Sequence, residues 1–431
     1  MLGAVLLLAS SAVLPRLSQL VPRAQPALLP PSRVIAVRGL PGQLDTKVFQ
    51  CLDSELSMPN LPGISGITAR KLATLAGYEA FHDFCESNRP AIPARTPTWT
   101  PQARDVGIVA CGGHLARGGC GTLPALAELC SRRGSKLRFH TPPLPKWVWD
   151  SPPPYLASAL ETGCVELVEH ESMASYNAAR RAAEAEAASN PLSRNNFVPQ
   201  GAAWADAEPG VKALARVIDN WKRTRPGGGL DVPARLPSTS RGLDIVLPSA
   251  SGATALFLQR HLPNGCDVWA VPVNGDAESL QRRLEYLDAR TGGVARLPRI
   301  LSPPASHTVK FGTVAAPLLT TWRAAAEKGV LLDLVYGAVA WGALEHCGWK
   351  PSGEESQREC LYINTGGHEG LEASLTRYKR AGLLNKVEIG GIFGHKMVWY
   401  NGQWDIEEVI AEARRVAAST AGLVHTRDAG L

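Results

Sequence analysis

Three stretches of the chain place glycine and small polar residues directly behind an apolar run. They are Ile108-Val-Ala-Cys-Gly-Gly113, Ile245-Val-Leu-Pro-Ser-Ala-Ser-Gly-Ala-Thr254 and Ile363-Asn-Thr-Gly-Gly367. A buried strand that ends in small residues and then opens a helix leaves the first amide N–H groups of that helix free, and such groups hold anions. Ala250, Ser251, Gly252, Ala253 and Thr254 make the best phosphate cradle of the three. Their small side chains let the backbone approach a ligand, and Ser251 and Thr254 add hydroxyl donors. No Walker-type lysine follows, and the G-x-G-x-x-G spacing of dinucleotide sites is absent. The same composition also makes an ordinary strand–helix connection, because Gly, Ser and Thr favour turns and caps. Both readings stand at this level.

Other chemistry-bearing residues carry less. Cys111, His114 and Cys120 have metal-ligand side chains, but their spacing matches no zinc pattern and no fourth ligand is evident, so buried thiols beside a turn are the expectation and no metal is assigned. Ser251 lacks the G-x-S-x-G frame of a nucleophile elbow. His368 lies in a glycine turn and reads as a surface turn residue rather than a base.

The elements that must hold these turns follow from composition and pattern. The 431 residues are 45% hydrophobic and 19% charged, which excludes collagenous, coiled-coil and wholly disordered chains and suggests about two to three domains. No apolar run reaches the roughly 18 residues that span a bilayer. The net charge is +6, yet residues 1–44 contain Arg16, Arg23, Arg33 and Arg38 and no acid, so the remainder is close to neutral and lacks the footprint of a nucleic-acid binder. That acid-free, Ser-containing stretch resembles an organellar transit peptide, with mitochondrion favoured over plastid. Leu2–Leu14 also resembles a signal-peptide core, though no basic residue precedes it, and a disordered terminus is the plain alternative. The nine scattered cysteines include no C-x-x-C pair and read as reduced, buried thiols.

Apolar runs of strand length alternate with helical patterns. Expected strands are Asp105–Ala110, Lys136–His140, Val165–Glu169, Asp244–Leu247, Asp267–Val273, Val330–Leu334 and Lys386–Phe393. Expected amphipathic helices include Val211–Arg223, with Val211, Leu214, Val217, Ile218 and Trp221 on one side, and a stripe of Ile406, Val409, Ile410, Ala413 and Val416. Ala178–Ser189 reads as a solvated surface helix. The six prolines of Pro142–Pro154 exclude a regular helix or central strand, and Lys222–Ser240 reads as an exposed loop. Repeated strand–helix alternation predicts an α/β fold with parallel sheets.

Five segments, in order, resemble the pyridoxal-phosphate enzymes of the aminocyclopropane-carboxylate deaminase and D-cysteine desulfhydrase family. Gly63-Ile-Ser-Gly-Ile-Thr-Ala-Arg-Lys-Leu72 is similar to its S-G-N-K-x-R-K-L segment, and Val109-Ala-Cys-Gly-Gly113 to the strand entering its G-G-x-Q-S-N turn. Ser249–Thr254 resembles its G-S-G-G-T phosphate loop. Gly329-Val-Leu-Leu-Asp-Leu-Val-Tyr-Gly-Ala-Val-Ala-Trp-Gly342 resembles G-I-L-L-D-P-V-Y-x-G-K-A-x-x-G, and Asn364-Thr-Gly-Gly367 the closing H-T-G-G. The resemblance covers about residues 45–395. It implies a tryptophan-synthase-β-like fold: two parallel-sheet α/β domains around an interdomain cofactor cleft. The implied division is a leader at 1–44, a larger domain at 45–71 and 191–420, and a smaller inserted domain at 72–190. It also implies pyridoxal phosphate as cofactor, and a homodimer or a subunit of an organellar complex as the assembly.

The departures from the motifs bear on chemistry. The family's Schiff-base lysine falls on Thr68, whose hydroxyl forms no imine, and the preceding Asn is Ile67. Lys71, one helical turn on, matches the motif's second lysine. Q-S-N reads Leu115-Ala116-Arg117, so the turn against the cofactor loses two small polar groups and gains a cation. Leu256 and Phe257 replace small residues after the phosphate loop, whereas Ser251, Gly252, Thr254, Tyr336 and Thr365 match. These features imply a catalytically degraded member of the family with a structural or regulatory role. The alternatives are an active lyase or deaminase on a small amino acid with a relocated lysine, and an unrelated nucleotide-binding α/β protein.

Overall fold

The computed structural model describes residues 34–36, 48–51, 57–58, 61–73, 75, 107–117, 121–189, 197–224, 242–293, 296–308, 310–328, 330, 332–346, 358–367 and 370–384. The expected elements at Lys386–Phe393 and Ile406–Val416, and His368, Cys120 and most of residues 1–44, lie outside them.

Two open sheets organise the chain. The larger contains β1 (Val34–Ala36), β2 (Val48–Cys51), β9 (Leu243–Ser249), β10 (Cys266–Pro272), β11 (Arg299–Ile300) and β12 (Glu359–Ile363), in the order β1-β2-β12-β9-β10-β11. All its pairs are parallel except β1 with β2. The smaller contains β5 (Ile108–Cys111), β6 (Leu137–Thr141), β7 (Val165–Glu169) and β8 (Phe197–Val198), in the order β7-β6-β5-β8, and is parallel throughout. A two-stranded ribbon of β3 (Ser57–Met58) and β4 (Leu61–Ser65) precedes the short helix Gly66–Leu72.

The central strand β9 is buried at every residue, as a strand covered on both faces must be. One cover is the helix Ala253–His261, in which Ala253–Gln259 are all buried. Helix Glu208–Thr224 buries Val211, Leu214 and Ile218 along the stripe its period-3.6 pattern predicts. Leu256 and Phe257 are fully buried in this same core, so they are packing residues behind the helix. At the amino ends of the strands, Arg358 donates to Asp244 at 2.5 Å and to Asp267 at 2.7 Å, an ionic staple across β12, β9 and β10.

Two sequence expectations need correction. Val330–Leu334 is not a strand. Val330, Leu332 and Leu334 are buried in the larger core, but the carboxylate of Asp333 accepts the N–H groups of Val335, Tyr336 and Gly337 and turns the chain into helix Gly337–His346. Pro142–Pro154 holds a one-turn helix, Lys146–Asp150, and the start of another, Pro154–Glu161. Proline at a helix start loses no hydrogen bond, so the six prolines bound these helices instead of forbidding them.

Candidate functional site

The turns that leave β5, β9 and β12 converge, as the carboxyl ends of parallel strands do in open α/β sheets. A Cβ on Gly113 would lie 3.2 Å from the Gln200 amide, and one on Gly201 would lie 3.2 Å from Ser251 Oγ. The Gln200–Ala202 turn behind β8 therefore bridges the smaller sheet to the cradle on the larger one. The third turn joins through Thr365, whose carbonyl accepts the Ile67 N–H at 3.0 Å. That bond sets the start of helix Gly66–Leu72, and with it Thr68, against the Asn364–Gly367 turn.

The cradle has the geometry its composition allows. Gly252 enters helix Ala253–His261 at φ +89°, a left-handed conformation in which the Cβ of other residues is strained, and no side chain caps the helix start. Thr254 is buried within the first turn, Ser251 and Ala250 are half-buried, and Ala253 is fully buried.

Lys71 supplies the positive charge. Its Nζ donates to the Gly201 carbonyl at 3.0 Å, which places the ammonium beside the residue that Ser251 touches. Burial lowers its pKa from 10.5 to about 8. Thr68 is half-buried on the same helix, one turn earlier.

The turn after Gly113 leads into an aromatic cluster. The His114 ring lies 4.3 Å from that of Phe311, which meets Tyr336 edge-on at 5.3 Å. Burial, and then the Arg117 charge, push the His114 pKa down to about 4, so this imidazole is neutral at physiological pH. Arg117 is exposed on the turn Leu115–Arg117 and donates from Nη1 to the Phe311 carbonyl at 3.2 Å. Cys111 is a buried thiol with its pKa pushed up to about 12. Among the described residues no group of three metal-ligating side chains occurs.

The structure thus links Lys71 through Gly201 to Ser251 of the cradle and Thr365 to the helix that carries Thr68 and Lys71, while Tyr336 joins Phe311 and Asp333, and Arg117 joins Phe311. Sequence reading missed Gln200, Gly201, Phe311 and Asp333. The signal for Gln200-Gly201 was present in Pro199-Gln-Gly behind the apolar pair Phe197-Val198; Phe311 carried none.

Asp333 positions Tyr336 of this cluster, whose N–H donates to its Oδ1, and a Cβ on Gly367 would lie 2.9 Å from its carboxyl carbon. Burial raises its pKa from 3.8 to about 6 despite three donated N–H groups. The folded state therefore holds this proton more tightly than the unfolded state. The resulting stabilisation is full below about pH 4 and is lost as pH rises through 6. The unfolding free energy of the unmodified chain, from urea titrations, should fall between those limits relative to Asp333→Asn, by up to about 3 kcal/mol. Parallel profiles would show that the carboxyl is not buried as described.

No family model matches the chain, and no curated protein does. Solved structures do. A crystal structure of an ACC deaminase homologue aligns with a TM-score of 0.56 at 17% identity, covering 83% of this chain and 96% of that one. Maize serine racemase aligns at 0.49 with 11% identity, covering 82% and 94%, and the processed threonine deaminase isoform 2 of Solanum lycopersicum at 0.43 with 11% identity, covering 87% and 100%. The first of these carries the fold assignment: two α/β units in the tryptophan-synthase-β-like arrangement. Among the described residues no helix is long and apolar enough to cross a membrane.

Proposed function

We propose that this chain, folded like the ACC deaminase homologue, keeps that fold's anion pocket without its covalent anchor, and acts as a structural or regulatory member of the pyridoxal-phosphate group. The observation that carries this reading is the placement of Lys71. Its ammonium stands beside the Ser249–Thr254 cradle, while Thr68 occupies the motif position of the imine lysine.

The phosphate end of pyridoxal phosphate fits the residues present. Uncapped N–H groups, Ser251, Thr254 and the Lys71 charge would hold it. When bound, the group supplies an electron sink for carbanion chemistry. This chain's residues would bind the phosphate, but Thr68 offers no amine, and Leu115, Ala116 and Arg117 leave the facing turn without small polar side chains. The acid-free N-terminal stretch supports an organellar location, mitochondrial in preference to plastid. The assembly proposed with it is a homodimer or a subunit of a larger complex.

A second reading is favoured by one observation. An amine with its pKa lowered to about 8 is partly unprotonated at neutral pH, as a nucleophilic lysine must be. Lys71 would then anchor pyridoxal phosphate in an active lyase or deaminase of small amino acids.

Borohydride reduction of the full chain incubated with pyridoxal phosphate separates the two. The degraded reading expects a raised melting temperature but no trapped adduct, and an adduct in Thr68→Lys without turnover of amino acids. An adduct in the unmodified chain that disappears in Lys71→Met would replace it with the active enzyme.

A further inference from the structure

Gln200 opens the turn behind β8, and its half-buried side chain makes one hydrogen bond: the Tyr176 hydroxyl donates to its Oε1 at 3.3 Å. Among the described residues its Nε2 donates to no protein group. The amide lies across the glycine that ends the first turn. A Cβ on Gly113 would stand 3.2 Å from Nε2, 3.5 Å from Oε1 and 3.6 Å from the carbon between them, so the glycine makes room for this amide. The next residue, Gly201, takes the Lys71 ammonium on its carbonyl at 3.0 Å, and a Cβ on it would stand 3.2 Å from Ser251 Oγ. Consecutive Cα atoms are about 3.8 Å apart, so the Gln200 side chain leaves the backbone one residue from the cradle.

Tyr176 is a firm support. It is buried on helix Met173–Ser189 in a small cluster with Cys111 and Phe197. The His170 ring meets it edge-on at 6.1 Å, and His170 Nε2 in turn lies 2.9 Å from His140 Nδ1. Burial pushes the Tyr176 hydroxyl above its ordinary range, so it keeps the proton that it donates. A carboxamide whose oxygen is engaged in this way still offers two N–H donors on its other side. The neighbouring Leu115, Ala116 and Arg117 bring no small polar side chain to that turn. Gln200 therefore supplies an oriented donor where the smaller unit meets the cradle.

We propose that Gln200 is a ligand-binding residue of the cleft. Its amide donates to a hydrogen-bond acceptor on the body of the ligand whose phosphate end the Ser249–Thr254 cradle holds. The pair of sites selects organic phosphates bearing such a group over inorganic phosphate. Tyr176 acts through Gln200, as a positioning residue. This rests on the proposed function, since the cradle must hold the phosphate end, and it stands under either reading of Lys71.

Calorimetric titration of the full chain at constant ionic strength, with pyridoxine 5′-phosphate and separately with inorganic phosphate, tests this. Pyridoxine phosphate has the ring and lacks the aldehyde, so no imine enters the measurement. The unmodified chain should bind it more tightly than inorganic phosphate. Gln200→Met, similar in length but without a donor, should weaken pyridoxine phosphate about tenfold and leave inorganic phosphate within about twofold. Tyr176→Phe should show the same selective loss at about threefold, because the amide remains but is no longer held. Lys71→Met should weaken both ligands alike. If Gln200→Met does not fold, Tyr176→Phe, which removes one hydroxyl, decides in its place. Equal weakening of both ligands by Gln200→Met would make the residue a support of the cradle, and unchanged pyridoxine phosphate binding would make it a bystander. Either result overturns this site and leaves the proposed function standing. An unmodified chain that binds neither ligand would sink the proposed function, and this site with it.

Discussion

Replacing Lys71 with methionine should make the ligand-free chain more stable at neutral pH and abolish phosphate binding at the Ser249–Thr254 cradle. Its ammonium is held in a desolvated position, with its pKa lowered from 10.5 to about 8, so folding disfavours the charged form. The destabilisation is fully present below about pH 8 and vanishes as pH rises through 10.5, because neither state then carries the proton. At pH 7 the buried charge costs of order 2–3 kcal/mol, and methionine, of similar length and uncharged, removes that cost. The lost bond to the Gly201 carbonyl returns about 1 kcal/mol of it. Phosphate reverses the order. Present at 100 times its dissociation constant for the cradle, it stabilises a competent chain by about 2.7 kcal/mol through that site, and the variant gains nothing there. Thermal unfolding at pH 7 and pH 10, with and without phosphate, gives the four values needed. A variant that is less stable at pH 7, or one that keeps the phosphate response, would show that the ammonium does not serve the cradle.

The second large effect is expected at Gly210→Ala. A Cβ there would lie 1.8 Å from the Arg70 carbonyl oxygen and 2.6 Å from its carbon. Both are backbone atoms, so no side chain can swing away. Helix Glu208–Thr224 would have to retreat from helix Gly66–Leu72, opening the packing around Ala69, Leu72 and Ala73, all fully buried. Overpacking of this kind typically costs 1–3 kcal/mol, and contact with fixed backbone places this case near or above about 3 kcal/mol. The retreat also carries Lys71 off the Gly201 carbonyl, so the phosphate response should fall together with the urea midpoint. Wild-type stability in Gly210→Ala would mean that the two helices do not touch there.

Much of this architecture was legible before any coordinates, and the reason is local. β9 and β10 are nearly continuous apolar runs bounded by turn residues, as strands covered on both faces are, whereas β6 and β7 interleave apolar with charged or polar residues and were legible from their spacing and their flanking turns. Val330–Leu334 has the same apolarity, and Val330, Leu332 and Leu334 are equally buried, yet no described residue of it is in a strand and the chain turns at Leu334. What decides the matter is the Asp333 carboxylate gathering three N–H groups, which composition alone does not reveal. β8 is too short to carry a pattern. The site was legible as glycine turns and illegible as an assembly. Lys71 and Gly201 are 130 residues apart, and only the folded chain brings the amine to that carbonyl. Phe311 sits in a stretch with no periodic signal, although its ring joins His114 to Tyr336.

The Arg358 staple lies at the amino ends of β9, β10 and β12, and the Ser249–Thr254 and Asn364–Gly367 turns lie at the carboxyl ends of β9 and β12. Parallel strands put these on opposite rims of the sheet, so one rim can change its chemistry while the other keeps the strands in register. Side chains packed against the turns, such as Thr68, can then vary without loosening what assembles the sheet. A scaffold divided in this way separates selection on folding from selection on ligand binding, because the two act on residues a full strand length apart.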